Sequence, residues 1–335
     1  MRSDMNSISS STIPAAPQVP AATRWWLLVG IGLLCAAPWV AYPMFLVKLL
    51  CLALLAASVN FLIAYAGLLS FGHAMFYGSA AYVTGHVAKL WGWDGALAVV
   101  AGVGIAASLG LVTGILAIRR QGIYFSMVTL AFAQVVYFMA MRLPFTHGED
   151  GLQAVPRPRF FGLLETENTL VFYYVCLLAI GFGFWLIHRT VHSPFGQVLR
   201  AIRDNEARAK SLGYQVNRYK LLAFVLSASL AGLAGSMKVL AFSLATLTDV
   251  GWGTSGEALL VCIVGGLNTM LGPVVGAIVM GSMEHYLAGF AEWVLIIQGL
   301  VFVVVVMLFR QGLVGQWQHL LPWAAREKDT GKETA

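Results

Sequence analysis

The sequence predicts an all-α integral membrane protein with about ten transmembrane helices. Of its 335 residues, 59% are hydrophobic and only 11% are charged, whereas a soluble domain carries about 25% charged residues. The apolar residues form runs close to the ~20 residues that a helix needs to cross the hydrocarbon core, and the basic residues collect at the ends of these runs. These observations favour a polytopic membrane protein over any soluble class.

Eight apolar runs predict membrane-spanning helices. They cover residues 25–42, 44–66, 68–90, 95–118, 121–142, 169–188, 219–242 and 293–310. The remaining apolar stretch, 257–290, would form a helix of about 50 Å, which is too long for a single crossing. Because Gly265-Gly266 and Gly272-Pro273 interrupt it, we predict two shorter spans at 255–268 and 271–290, which makes ten in total.

The distribution of basic residues predicts the orientation of the spans, because positive charge is retained on the cytoplasmic side of a membrane protein. With ten spans and a cytoplasmic N-terminus, Arg24, residues 119–120, the segment 188–220 and Arg310 all fall on that side. The loop 143–168, in which four carboxylates outnumber two arginines, then lies outside. Both termini are predicted to be cytoplasmic.

Composition divides the chain into three parts. Residues 1–23 are rich in Ser, Pro and Ala and are expected to form a flexible cytoplasmic tail, and residues 313–335 form a second, polar cytoplasmic tail. Between them, residues 24–312 form the transmembrane domain. The net charge of +6 does not indicate nucleic-acid binding, because the basic residues cluster at the ends of the spans.

The chain lacks the sequence patterns of an ATPase, a metal site or a catalytic centre. It contains no G-x-x-x-x-G-K-[ST] loop, so we do not expect it to hydrolyse ATP by itself. The four cysteines lie inside apolar runs without CxxC spacing, which indicates neither a disulfide framework nor a metal site. We expect no cofactor and no catalytic residue. Energy for transport must then come from a separate ATPase or from an ion gradient.

A polar segment between two apolar spans, residues 188–220, is the most informative part of the chain. It carries seven Lys or Arg residues against two acids. Ser193-Pro194 is a typical helix start, because serine caps free amides and proline tolerates the first helical position, and Gly213 is a typical stop. Between them, apolar residues recur at three- and four-residue intervals: Phe195, Val198, Leu199, Ile202, Ala209 and Leu212. We predict one amphipathic helix of about 18 residues.

Two roles are open for this amphipathic helix when only its residues are considered. It can lie on anionic lipid headgroups, with its arginines at the phosphates. Alternatively, it can dock into a groove of a soluble partner protein. A membrane protein with one such cytoplasmic segment is typical of a transporter that is driven by a soluble partner.

Several polar residues lie inside the predicted spans, where they usually face a cavity or a neighbouring helix. Three glycines surround His73 within residues 67–78, which allows close helix packing or a helix break. Two interpretations are open: plain helix packing, with His73 hydrogen-bonded to a neighbouring carbonyl, or the lining of a translocation pathway. The pathway candidates are Ser70, His73, Tyr124, Thr129 and Gln134.

Two further features of the spans predict packing rather than transport. The G-x-x-x-G patterns at 110–114 and 272–276 indicate close contacts between helices. Glu257 and Glu284 lie near span ends, where water reaches a carboxylate, so an interfacial role is favoured for both.

Five stretches carry a family resemblance: YAGLLSFGHAMFYGSAAY (65–82), RRQGIYFSMVTLAFAQVV (119–136), HGEDGLQAVPRP (147–158), SPFGQVLRAIRDNEARAKSLGYQVNRYKLLAFVLSASLAGLAG (193–235) and VGGLNTMLGPVVGA (264–277). With them, the chain resembles the branched-chain amino-acid permeases of ABC importers, in particular the LivM-type subunit. The resemblance covers most of residues 44–312, and the long block 193–235 is very specific.

The resemblance implies that residues 189–218 are a cytoplasmic coupling segment that touches the ATP-hydrolysing subunit. Glu206-Ala207 followed by Gly213 is similar to the Glu-Ala-Ala…Gly signature of importer permeases, although Arg208 replaces the second alanine. We assign coupling to the residues Phe195, Arg200, Arg203, Glu206, Ala207 and Gly213.

The resemblance also implies uptake of Leu, Ile and Val by alternating access in a bacterial inner membrane. The implied partners are a second similar permease subunit, two ATP-binding subunits and a periplasmic substrate-binding protein, in addition to membrane lipid. A permease subunit for urea or short amides is the nearest alternative. From other classes, an ion-coupled secondary carrier would need no amphipathic segment, and an integral-membrane enzyme would need clustered His, Asp or Glu at a membrane face.

Overall fold

The computed structural model describes residues 32, 34–160, 168–267, 269–287, 289, 293–308 and 312–315. It divides the chain into two units, Met1–Ala41 and Tyr42–Ala335. In the first unit, a 3₁₀ turn covers Ala37–Trp39. The predicted tail 1–23, residues 25–31 and 33 of the predicted span 25–42, and most of the predicted tail 313–335 lie outside the described residues. The two tails and this span stay predictions.

The second unit is built from α-helices. In chain order they are α1 (Pro43–Phe61), α2 (His73–Leu90), α3 (Gly95–Ala117), α4 (Ile123–Arg142), α5 (Thr169–Val191), α6 (Pro194–Asp204), α7 (Glu206–Ser211), α8 (Val216–Phe242), α9 (Leu247–Val250), α10 (Trp252–Gly265), α11 (Gly272–Leu287) and α12 (Trp293–Leu308). A π-helical turn, Leu62–Ala66, continues α1. The loop after α4 contains two 3₁₀ turns, Pro144–Thr146 and Gly148–Asp150. The part of the chain that the structure describes has no β-strand, and Leu152 and Ala245 form an isolated antiparallel bridge.

The chain is an all-α integral membrane protein, as predicted. Five helical stretches in the described residues are long and apolar enough to cross a membrane: Pro43–Ala66, Gly95–Ala117, Ile123–Arg142, Thr169–Val191 and Val216–Phe242. They coincide with five of the predicted spans to within three residues at each end. The helices α10 and α12 contain shorter apolar stretches. The total of ten spans stays a prediction.

One predicted span, 68–90, is wrong in its first five residues. The helix begins only at His73, and residues 67–72 are not helical. Gly67 ends the π-helical turn in the left-handed conformation, with φ of 67°, which a residue with a side chain adopts only with strain. The apolar run therefore consists of an unwound segment followed by a buried helix.

The predicted division of 257–290 into two helices is confirmed. α10 ends at Gly265, Gly266 has φ of 117°, and α11 begins at Gly272. The two helices then pack backbone against backbone, because a Cβ atom on Gly265 would overlap the Gly272 carbonyl and one on Gly276 would overlap the Val261 carbonyl. Only glycine permits this approach.

Close glycine contacts also hold the centre of the fold, where α2, α3 and α8 pack together. A Cβ atom on Gly235 of α8 would overlap the backbone of Tyr77 in α2, and one on Gly102 of α3 would overlap the side chains of Thr84 and Ser236. In the 110–114 pattern, a Cβ atom on Gly110 would lie 2.6 Å from the Ala228 Cβ atom. Both G-x-x-x-G patterns therefore mark close helix contacts, as predicted, and these contacts lie within the subunit.

Replacement of Gly235 by alanine should destabilise the protein, because the added methyl group overlaps the Tyr77 backbone and forces two helices apart. Overpacking of this kind costs about 1–3 kcal/mol. Thermal unfolding of the detergent-purified protein measures the loss. The matched control is Gly104→Ala in α3, where a Cβ atom meets nothing within 4 Å, and it should unfold at the wild-type temperature or slightly above it.

Candidate functional site at the coupling segment and the adjacent helix break

The coupling segment begins and ends as predicted but is not one helix. The Ser193 hydroxyl accepts a hydrogen bond from the Gly196 amide at 3.4 Å, and Gly213 has φ of 86°. Between them, Asn205 is extended and its side chain accepts a bond from the Arg208 amide at 2.9 Å. The predicted single helix is therefore wrong. Asparagine caps a second helix more readily than it continues the first, so α6 and α7 meet at an angle.

Most of the predicted apolar face packs against the membrane domain. Leu199, Ile202 and Ala209 are buried, and the Phe195 ring stacks on the Tyr219 ring of α8 with centroids 5.5 Å apart. Leu212 is the exception, with 70% of its side chain exposed. Its assignment to the face was wrong because α7 ends at Ser211, so Leu212 no longer follows the helical period.

Glu206 is the centre of a network that ties the coupling segment to two other parts of the chain. Its carboxylate contacts the Lys210 ammonium at 2.7 Å, the Lys220 ammonium of α8 at 2.6 Å and the Gln121 amide of the α3–α4 loop at 2.9 Å. Partial burial by itself would raise the pKa of Glu206, but the hydrogen bonds and charges of both lysines lower it below its usual value. Glu206 therefore remains ionised and holds the segment in place.

Two arginines of the coupling segment contact the π-helical turn that follows α1. The Arg203 guanidinium donates a hydrogen bond to the Ala64 carbonyl and also pairs with Asp204 at 3.0 Å. The Arg200 guanidinium lies over the Tyr65 ring, 5.0 Å from its centroid. The sequence assigned both arginines to the coupling with the ATP-hydrolysing subunit. The contacts that the structure shows for them lie within this chain. Of the assigned residues, Phe195 and Glu206 are half-buried, and the other four are exposed: Arg200, Arg203, Ala207 and Gly213.

Beyond the π-helical turn, the unwound residues 67–72 are held by hydroxyl groups. The Ser126 hydroxyl donates to the Leu69 carbonyl at 2.6 Å, and the Phe71 amide donates to the Thr129 hydroxyl at 3.2 Å. The Ser70 hydroxyl accepts a bond from the Gly72 amide at 3.2 Å. Backbone groups at membrane depth need such partners, because lipid offers none.

The first turn of α2 continues this polar cluster. His73 is fully buried, and its Nε2 atom lies 2.8 Å from the Ser227 hydroxyl of α8, which in turn donates to the Ser58 carbonyl of α1 at 2.7 Å. The Ala74 amide donates to the Ser255 hydroxyl of α10 at 2.8 Å. The packing interpretation expected a neighbouring backbone carbonyl as the partner of His73. The Nε2 partner is a hydroxyl on another helix, and the backbone of Ser70 also interacts with the imidazole.

The structure brings together three of the five pathway candidates. Ser70, His73 and Thr129 surround the break at residues 67–72. Tyr124 lies apart from them in the first turn of α4 with 70% of its side chain exposed, and Gln134 is half-buried farther along α4. A pathway role for all five stays a prediction.

Sequence reasoning missed the serines that complete the cluster, Ser58, Ser126, Ser227 and Ser255. Their small hydroxyls sit in apolar runs without a motif, and the three-residue spacing of Ser126 and Thr129 was the only available signal. It also missed the ion pair between Lys238 and Asp249, at 2.6 Å. Glu284, favoured as an interfacial residue, pairs with Lys48 of α1 at 2.8 Å.

Known proteins match the part of the chain that contains the helices described above. Residues 42–306 match the family described as branched-chain amino acid transport system / permease component. The high-affinity branched-chain amino acid transport system permease protein LivM of Escherichia coli is 25% identical over 287 residues, which cover 78% of this chain and 67% of LivM. No solved structure matches significantly.

Relatives that are named for other substrates match shorter stretches. The autoinducer 2 import system permease protein LsrC of Klebsiella pneumoniae is 32% identical over 168 residues, or 48% of this chain and 46% of LsrC. The ribose import permease protein RbsC of Escherichia coli is 25% identical over 202 residues, or 56% of this chain and 60% of RbsC.

The network around Glu206 predicts an acid-sensitive coupling segment. Because the lysines lower the pKa of Glu206 in the folded state, its contribution to stability is complete above the ordinary value of 4.5 and is lost as the pH falls through the lowered value. The protection of residues 193–220 from hydrogen exchange, relative to the intrinsic amide rate at each pH, should fall in that acidic range. In Glu206→Gln, exchange should be faster already at pH 7 and this acid step should be absent. An unchanged acid step in the variant would contradict the assignment.

Proposed function

The chain belongs to the branched-chain amino acid transport system / permease component family and is a permease of an ABC importer, and we propose that it carries Leu, Ile and Val. In this family the ATPase lies in separate subunits, and the permease is not itself an enzyme. The observation that carries the substrate proposal is the length of the LivM match, 78% of this chain. Matches to the autoinducer and ribose permeases cover 48% and 56%.

The coupling segment supports a drive by separate ATP-binding subunits. Its exposed side, with Ala207, Arg208 and Gly213, carries the similarity to the importer signature. Its inner side is fixed to α8 by the Phe195–Tyr219 stack and by the pair between Glu206 and Lys220. A partner that pushes on the exposed side therefore moves the segment and the start of α8 together.

The transport cycle that we propose is alternating access. Binding of ATP closes the two ATP-binding subunits, the coupling segment follows them, and the helices open a path towards a periplasmic substrate-binding protein; hydrolysis then opens the path inward. The hydroxyls around the break near His73 offer neutral hydrogen-bonding groups along the path. Tight binding in the path is not needed, because the external receptor sets the affinity.

The proposed assembly contains this chain, a second similar permease subunit, two ATP-binding subunits and one substrate-binding protein in a bacterial inner membrane. A second candidate substrate class is sugars, favoured by the similarity to the ribose import permease RbsC over 56% of the chain. Urea and short amides remain the alternative that the sequence suggested. An ion-coupled carrier that works alone disagrees with membership in a family of ABC permeases.

The proposed substrate is tested with the complete importer in proteoliposomes, with labelled leucine and the substrate-binding protein on one side and ATP on the other. We expect leucine uptake that requires ATP and is competed by isoleucine and valine but not by urea or ribose. Competition by ribose or by urea would show that the proposed substrate class is wrong and would assign that solute class instead. Uptake by the permease alone, driven by an ion gradient, would overturn the proposed function itself.

The proposed orientation is tested by cysteine labelling with an impermeant thiol reagent, in a Cys35→Ser background because Cys35 is exposed. We expect Glu149→Cys to react from the outside of intact cells and Ala207→Cys to react only after permeabilisation. Both positions are exposed. Gly151 is unsuitable for this purpose, because its φ of 68° and the nearby Ala245 carbonyl leave no room for a side chain. The reverse labelling pattern would invert the orientation.

A further inference from the structure

The contact between Arg203 and the end of α1 connects the coupling segment to the membrane domain next to the break at residues 67–72. After Phe61 the helix widens into the π-helical turn, and the Leu68 amide reaches back to the Leu62 carbonyl. In an α-helix the Leu68 amide would bond to the Ala64 carbonyl. The Ala64 carbonyl therefore lacks that helical partner, and the Arg203 guanidinium bonds to it instead.

The side chain of Arg203 also lies against the residue at which the helix stops. A Cβ atom on Gly67 would come within 2.9 Å of the Arg203 Cγ atom. The guanidinium keeps its pair with Asp204 at 3.0 Å while it holds the Ala64 carbonyl, which its five donors allow and the single ammonium of lysine does not match. The stem of Arg203 therefore lies next to the first residue of the break, and its charged head holds the π-helical turn just before it.

On its other side, the break is held by exchangeable bonds. Ser126 and Thr129 of α4 bind the Leu69 carbonyl and the Phe71 amide, and both are side-chain hydroxyls. Hydroxyl rotors can exchange one backbone partner for another or for water at little net cost. The segment 67–72 thus has the Arg203 contact of the coupling segment on one side. On its other side it has exchangeable hydrogen bonds to the hydroxyls of α4.

We propose that Arg203 is a positioning residue that transmits movement of the coupling segment to the break at residues 67–72, whose second arrangement is reached by remaking the bonds to Ser126 and Thr129. This rests on the proposed function, because it states where the movement of the ATP-binding subunits enters the membrane domain. It assigns Arg203 a role inside the permease rather than at the surface that meets its partner.

The geometry separates Arg203 from its neighbours in the segment. Arg200 lies over the face of the Tyr65 ring and is exposed. Glu206 binds the α3–α4 loop and α8 and thus fixes the segment without reaching the break. Removal of Arg203 should therefore break transmission while the segment itself stays folded.

The first test uses hydrogen exchange on the purified permease, without any partner. In Arg203→Met, the amides of residues 67–72 should exchange at least tenfold faster than in the wild type, whereas those of residues 193–213 should change little. In Arg203→Lys, the exchange rate of residues 67–72 should lie between those of the wild type and Arg203→Met. The matched control is Arg218→Met, an exposed arginine in the first turn of α8, which should leave the break unchanged. Equal exchange at 67–72 in Arg203→Met and the wild type would overturn the proposal.

The second test measures coupling in the complete importer in proteoliposomes. Arg203→Met should assemble with the ATP-binding subunits and hydrolyse ATP near the wild-type rate, but transported substrate per ATP should fall at least tenfold, with partial recovery in Arg203→Lys. Ser126→Ala, which loosens the same break from α4, should also lower this ratio and serves if Arg203→Met does not fold. A wild-type ratio in the folded variants would refute the transmission role. Wild-type transport without ATP would instead refute the proposed function, and this inference with it.

Discussion

Satisfaction of backbone hydrogen bonds at the break between α1 and α2 is the constraint on which the rest of this structure depends. A helix can stop inside a membrane protein only where other groups bind the freed amides and carbonyls. Here those groups come from four directions: Ser126 and Thr129 of α4, Ser255 of α10, Ser70 within the break itself and Arg203 of the coupling segment. The helices must therefore hold these side chains around one point, and the coupling segment must reach the same point from outside.

Glycine contacts supply the close approach that this arrangement needs. The overlap that a side chain on Gly235 would make with the Tyr77 backbone shows that α8 and α2 touch at their main chains, which brings Ser227 within 2.8 Å of His73. The same device on α10 and α11, at Gly265 and Gly276, packs the helix that carries Ser255. Small residues thus determine where hydroxyls meet, because without a hydrophobic drive between helices, association in a membrane relies on close packing and hydrogen bonds.

The coupling segment shows how far local rules extend and where they stop. The cap at Ser193 and the left-handed stop at Gly213 were predicted correctly, since both depend on residues within a few positions. The break at Asn205 was missed, although asparagine is a common cap, because the apolar period continued across it. Glu206 was assigned from its motif, but its partners Gln121 and Lys220 come from other elements. The motif located the residue and gave no account of what it binds.

By itself, the sequence determined the membrane class, the ends of five long helices and the division at Gly265-Gly266, because hydrophobic length, capping and glycine punctuation act over short distances along the chain. Only the tertiary structure decided that His73 meets Ser227 and that Arg203 meets the Ala64 carbonyl, 139 positions away. A polar residue in an apolar run indicates that it needs a hydrogen-bonding partner. The sequence does not identify that partner, because the packing of helices that are distant in sequence decides which groups meet.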